Sequence, residues 1–219
     1  SSLKDLPTSK SLPISYAKAF PYSGVARIRR GNWDCTLLSN NATWLTFHKG
    51  NAVLQAMRIS GSFFGKGQFE TESIEKIGDT WILSKTLEGP YFQPLEKDKI
   101  SPEGDLSKMP RSLRKKSEIQ TLQTTIKVKE TKSGIEVDIE MSGTDNVPVS
   151  FEMIFRAGGT FSGVNEYAQK ENAYLFSGEI ATYSVGTDVI SFGPGKLEHK
   201  GIQLRAPLPS MDAPTVYLT

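Results

Sequence analysis

The chain has 219 residues, 37% of them apolar and 23% charged, and 26 basic against 24 acidic side chains leave a net charge of +2. That length suits one large β domain or two small ones and can bury a sizeable core, and the composition excludes a disordered chain. So small a charge, on scattered basic residues, argues against nucleic acid as a partner. No run of 18 apolar residues offers a membrane-spanning helix.

The opening residues, SSLKDLPTSKSLP, are polar and proline-bearing. They read as a linker or extended arm over residues 1–20 and lack the apolar segment of a signal peptide. Residues 21–219 read as a single β-sandwich domain. YSGVARIRR at 22–30 and WDCTLLS at 33–39 have strand character, and the Asn-rich SNNA at 39–42 is a turn. TWLTFH at 43–48, a turn at Lys49-Gly50-Asn51 and AVLQAMRI at 52–59 complete a meander. Strand alternation places Trp44, Thr46 and His48 on one face, with Leu45 and Phe47 on the other. GSFFGKGQFE at 61–70 interrupts the pattern, and its glycines mark a bulge or a close backbone approach.

Residues 73–77 and 80–87 form a hairpin candidate around Gly78-Asp79. Residues 89–116 carry prolines at 90, 94, 102 and 110 and read as a crossover between two sheets, with a helical turn or two in SLRKKSE. A strong β series follows at 118–130 and 135–141. Ile135, Val137, Ile139 and Met141 alternate with Glu136, Asp138 and Glu140, the pattern of a strand with one dry and one wet face. In VPVSFEMIFRAGGTFSG (147–163), Phe151, Met153 and Phe155 share one face, while Glu152, Ile154 and Arg156 share the other. Short strands at 173–177, 180–185 and 188–192 precede a Pro/Gly-rich loop at 193–214 and a last strand, TVYLT. A chain ending inside a strand hints at a domain cut from a longer protein.

Twelve to fourteen strands are too many for one open sheet. The expected fold is all-β, a large two-sheet antiparallel sandwich with at most one or two short helices.

Chemistry is less legible. Cys35 is the one cysteine, so no internal disulfide forms and cysteine usage does not set the compartment; an inert buried thiol is the expected role. The histidines, His48 and His199, belong to no HxH, HxxxH or CxxC pairing, so no metal is expected. No phosphate loop, dinucleotide fingerprint or G-x-S-x-G elbow calls for a cofactor or a nucleophile. Glu166, Glu171 and Glu179 are available carboxylates, but no spacing selects a pair.

Three stretches mix aromatic rings with cations and amides: Arg27–Trp33, then Phe63, Phe64, Lys66 and Gln68, then Tyr91, Phe92 and Gln93. Rings offer a flat apolar surface to a sugar, and Arg offers paired donors to a carboxylate or sulfate. An ion-paired Arg and a core Trp are the structural alternative. The candidate ligand-binding set is Arg29, Trp33, Arg58, Lys66, Gln68, Tyr91, His199 and Arg205, with His199 the first candidate for a catalytic role.

RIRRGNW at 27–33, SFFGKGQF at 62–69, PVSFEMIFRAGGTFSG and FGPGKLEHKGIQLRAPLPSMDAPTVYLT resemble the C-terminal β-sandwich of bacterial heparinase II/III-like proteins. That domain is similar in architecture to galactose-mutarotase-like supersandwiches. The resemblance implies an accessory domain of a polysaccharide lyase-like protein, located in the periplasm or outside the cell. It implies an acidic polysaccharide and a preceding helical catalytic domain as partners. In such lyases most catalytic groups come from the helical toroid, so none is carried onto this chain.

Two other readings stand beside this one. A self-contained carbohydrate-active enzyme, lyase- or epimerase-like, requires a cleft holding His48 or His199 with an Arg and a carboxylate. A structural surface or assembly protein requires a large subunit interface. The accessory reading requires an apolar face left open.

Overall fold

The computed structural model describes residues 13–197 and 212–218. His199 and Arg205 lie outside the described residues. Among the described residues there are seventeen strands, and the helical content is four three-residue 3-10 turns. The first six strands are β1 (Ser15–Phe20), β2 (Val25–Arg30), β3 (Trp33–Leu38), β4 (Leu45–Lys49), β5 (Ala52–Gly61) and β6 (Gly67–Gln68). A second group holds β7 (Glu75–Ile77), β8 (Thr80–Phe92), β9 (Lys116–Glu130) and β10 (Ile135–Gly143). The remainder are β11 (Val149–Phe155), β12 (Thr160–Ser162), β13 (Asn165–Glu166), β14 (Ala173–Leu175), β15 (Ala181–Val185), β16 (Asp188–Phe192) and β17 (Thr215–Leu218). The surplus over the expected strand count lies in pieces of two or three residues such as β6 and β13.

The fold is an all-β, sandwich-like one. A ten-stranded sheet runs β1-β2-β3-β4-β5-β11-β17-β14-β13, with β6 paired to β5. A four-stranded sheet runs β10-β9-β8-β7, and a three-stranded sheet runs β12-β15-β16. One continuous core joins Ile28, Leu37, Leu45 and Phe47 of the large sheet to Trp81, Leu83, Ile126 and Val128 of the four-stranded sheet. The same core takes in Tyr183 and Ile190 of the three-stranded sheet. Both smaller sheets therefore cover the apolar face of the large one, and the second layer is divided. Removing each large side chain from water contributes roughly 1.5–3 kcal/mol, so this shared core is the main force holding the layers together.

Strands β5 and β11 lie at the centre of the large sheet and are covered on both faces. Phe151, Met153 and Phe155 face the core, as their spacing indicates. The other face of β11 is dry as well: Ser150, Glu152 and Ile154 are all buried. Ser15–Phe20 forms the edge strand β1, paired to β2 from Ser15↔Arg30 to Phe20↔Val25.

Two expectations are corrected. Residues 93–115 are not a crossover between sheets. Strand β8 continues to Phe92 and pairs antiparallel with β9 from Thr80↔Lys129 to Phe92↔Lys116, so the connection returns to the adjacent strand of one sheet. Pro90 fits there because β7 pairs with β8 only as far as Ile82, and beyond that point β8 needs hydrogen bonds on one side only. Trp44 does not share a face with Thr46 and His48. It precedes β4, and it is buried in the same core as Leu45 and Phe47.

Candidate functional site

Beyond β5 the chain makes a tight reversal. The Lys66 N–H donates to the Phe63 carbonyl at 3.0 Å, and β6 returns to pair Gln68 with Ser60 and Gly67 with Gly61. A Cβ on Gly67 would sit 1.8 Å from the Gly61 carbonyl oxygen, so this return requires glycine. Phe63 turns into the core, and Phe64 is left at the tip with φ at +48°, a conformation uncommon for a non-glycine residue.

The Phe64 ring rests on Gly89 of β8, where a Cβ would lie 2.1 Å from the ring. Its centroid is 5.1 Å from that of Tyr91 and 5.0 Å from that of Phe63, both edge-on. Phe64 is 42% exposed and Tyr91 53% exposed. Phe92 follows Tyr91 across a bulge in the β8–β9 register and is also exposed. The Arg114 guanidinium lies 5.4 Å from the Phe92 ring centroid and donates to the Phe92 and Gln93 carbonyls, each at 2.8 Å. Phe92 and its Arg114 contact lie on the other face of β8, because the extra residue of the bulge, Ser117, is on β9. A platform of two accessible rings, Phe64 and Tyr91, results.

Adjoining it is a polar groove of about 540 Å³, lined by Asn40, Lys66, Gln68, Glu70, Glu72 and Lys85. The Gln68 amide donates to Glu70 at 2.7 Å, and Lys85 pairs with Glu72 at 2.6 Å. The Lys85 hydrogen bond and charge hold the Glu72 carboxyl below the usual carboxylate range. Lys66 has no ion-pair partner among the described residues. Two lysines and two glutamates balance, so the groove suits a hydroxyl-rich ligand with little net charge, Lys66 being the group available to an anionic substituent.

Of the residues singled out from the sequence, the structure brings Lys66, Gln68 and Tyr91 to this one place. Trp33 is elsewhere and 4% exposed, stacked on Phe47 at 5.5 Å between centroids, so its ring faces the core. Arg58 is buried against Glu152. Arg29 lies on β2 opposite Asp34 of β3, and His48 of β4 is the next register partner of Asp34. A cation, a carboxylate and an imidazole are thus neighbours on the outer face, but the ion pair made there is Arg27–Asp34 at 3.1 Å, and none of the three lines the groove beside the rings.

Cys35 is fully buried, and burial, reinforced by the Asp34 and Glu130 carboxylates, pushes its thiol pKa far up. Among the described residues no three His, Cys, Asp or Glu side chains cluster as metal ligands, and no helix is long and apolar enough to cross a membrane.

Sequence reasoning found the residue types of the platform but not their union. Gly65 and Gly89 were the available signals: one allows the turn, and the other leaves room for the ring. No family model, curated protein or solved structure matches this chain.

Proposed function

We propose that this chain is a non-catalytic, glycan-binding β-sandwich of a heparinase II/III-like polysaccharide-processing protein. The observation that carries the reading is the Phe64–Tyr91 pair, two exposed rings 5.1 Å apart beside a polar groove. A pyranose has apolar C–H faces that stack on rings and a hydroxyl rim that needs donors and acceptors. Gln68, Glu70 and Lys66 supply those within one groove. Lys66 is the cation beside these rings without an ion-pair partner among the described residues, and it is the group that would meet the carboxylate or sulfate of an acidic polysaccharide. Chemistry on the bound glycan belongs to a preceding helical domain, and the setting is the periplasm or the cell exterior.

Affinity electrophoresis of the purified chain through gels containing neutral and acidic polysaccharides tests this. At least one polysaccharide should retard the protein. Tyr91→Ala should weaken that retention by about tenfold, equivalent to about 1.4 kcal/mol, with the melting temperature unchanged. Retention by none of them, or equal retention of a Phe64→Ala, Tyr91→Ala double variant, would remove the glycan reading.

A further inference from the structure

The second layer of the sandwich is interrupted. Strand β10 is the last strand of the four-stranded sheet, and β16 is the last strand of the three-stranded sheet. Among the described residues each pairs on one side only, β10 with β9 and β16 with β15, and they do not pair with each other. Both line a single cleft of about 690 Å³. Its floor is the apolar face of the large sheet, including Phe47, Leu54, Met57 and Met153. Ile135 and Val137 stand on the β10 wall, with Ile190 and Phe192 on the β16 wall.

We propose that this seam is a β-strand acceptor site, which takes one extended segment of a partner polypeptide between β10 and β16. Three features select that occupant. Strand edges present rows of backbone donors and acceptors that a lipid chain or an aromatic ligand would leave unsatisfied, whereas a peptide backbone satisfies them. The cleft meets β10 over residues 135–137 and β16 over residues 189–192, three to four residues of each edge, which at about 3.3 Å per residue suits one short extended segment. The floor is apolar while the rim carries Lys49 and Glu136, so the segment must alternate, with apolar side chains downward and polar ones of either sign upward. Once filled, the four-stranded and three-stranded sheets become one continuous layer.

The test uses the full chain and two pools of fluorescein-labelled octapeptides. One alternates valine or isoleucine with threonine, lysine and glutamate; in the other, threonine replaces every apolar residue. Fluorescence anisotropy should show saturable binding of the alternating pool, at least tenfold tighter than the polar pool. Amide exchange should slow at least tenfold at residues 135–137 and 189–192 when the alternating pool is added. Met153→Trp, which fills the floor, should abolish both responses while leaving polysaccharide retention unchanged. No binding, equal binding of the two pools, protection elsewhere, or protection of both edges before any peptide is added would each overturn the proposal. So would concentration-dependent dimerisation that competes with the peptide, which would assign the seam to a second copy of the chain.

Discussion

Arg58 of β5 and Glu152 of β11 are direct register partners, and their side chains meet at 3.1 Å with only 6% and 1% exposed. This pair lies at the centre of the large sheet, on the face away from the apolar core. Forming a buried pair yields little net stability, because desolvating two charges offsets most of their attraction. Breaking one is expensive, since the survivor stays in a dry place without its counter-charge. Glu152→Gln should therefore lower unfolding free energy by about 3–5 kcal/mol, read from urea denaturation. Replacing both residues, Arg58→Met with Glu152→Leu, should cost much less than the single change. A double-variant cost equal to the sum of the Arg58→Met and Glu152→Leu single costs would show that the two side chains act independently. Arg58 is thus the buried counter-charge of Glu152, and its substitution should act on stability before it acts on any ligand.

A second expectation concerns Gly89. The Phe64 ring occupies the space where a Cβ would be, at 2.1 Å, and Phe64 is the exposed end of a movable side chain. Gly89→Ala should displace the ring without unfolding the sheet. Stability should stay within about 1 kcal/mol of the parent, while polysaccharide affinity falls about tenfold, or about 1.4 kcal/mol. Unchanged affinity with a shifted ring would separate Phe64 from the binding surface and leave Tyr91 alone to carry it.

Cys35 gives a third. Its thiol is fully buried, and its pKa is raised chiefly by that burial. Thiolate is the reactive form, so the native chain should resist iodoacetamide at pH 8. In denaturant, one equivalent should react at the rate of an ordinary exposed thiol. Fast labelling of the folded protein would mean that β3 opens locally.

Much of the architecture was legible because strand periodicity is a local property. The alternation from Ile135 to Met141 gave β10 its dry and wet faces, and Phe151, Met153 and Phe155 gave β11 its core face, without any knowledge of neighbours. What escaped was set by register between distant segments. Nothing local to Arg58 indicates that Glu152 will stand opposite it, and without that pairing a strand arginine reads as a ligand contact. Trp33 was ambiguous for a related reason: alternation says which residues share its face, not whether that face meets Phe47 or water. Parity also fails where the chain slips. The extra residues lie on β5 between Leu54 and Met57, so that both of those side chains reach the core, and on β9 at Ser117 opposite Tyr91 and Phe92, and each breaks the simple alternation of its own strand. The platform was half visible, since its residue types were recognised in two stretches. The length of β8, which carries Tyr91 alongside Phe64, could not be read through Gly89 and Pro90.

The final expectation is a pH dependence in the β8–β9 connection. Glu96 accepts from Lys99 at 2.7 Å and pairs with Lys115 at 3.0 Å, and these two ammonium groups hold its carboxyl at about 2 against an ordinary 4.5. Because the folded value lies below the unfolded one, the stabilisation is complete above pH 4.5 and is lost as pH falls toward 2. Lys99 shifts the opposite way, raised from 10.5 by the Glu96 hydrogen bond and charge. Its contribution is present below pH 10.5 and disappears as pH rises further. The clip should therefore hold throughout the neutral range and open only at both extremes. A side-chain carboxyl NMR titration should place the Glu96 midpoint near 2, well apart from the exposed glutamates. Amide exchange over residues 97–115 should be faster in Glu96→Gln than in the parent at pH 6, and the two should converge in strong acid. A Glu96 midpoint at the ordinary value would mean that the lysines point into solvent and leave the connection unclipped.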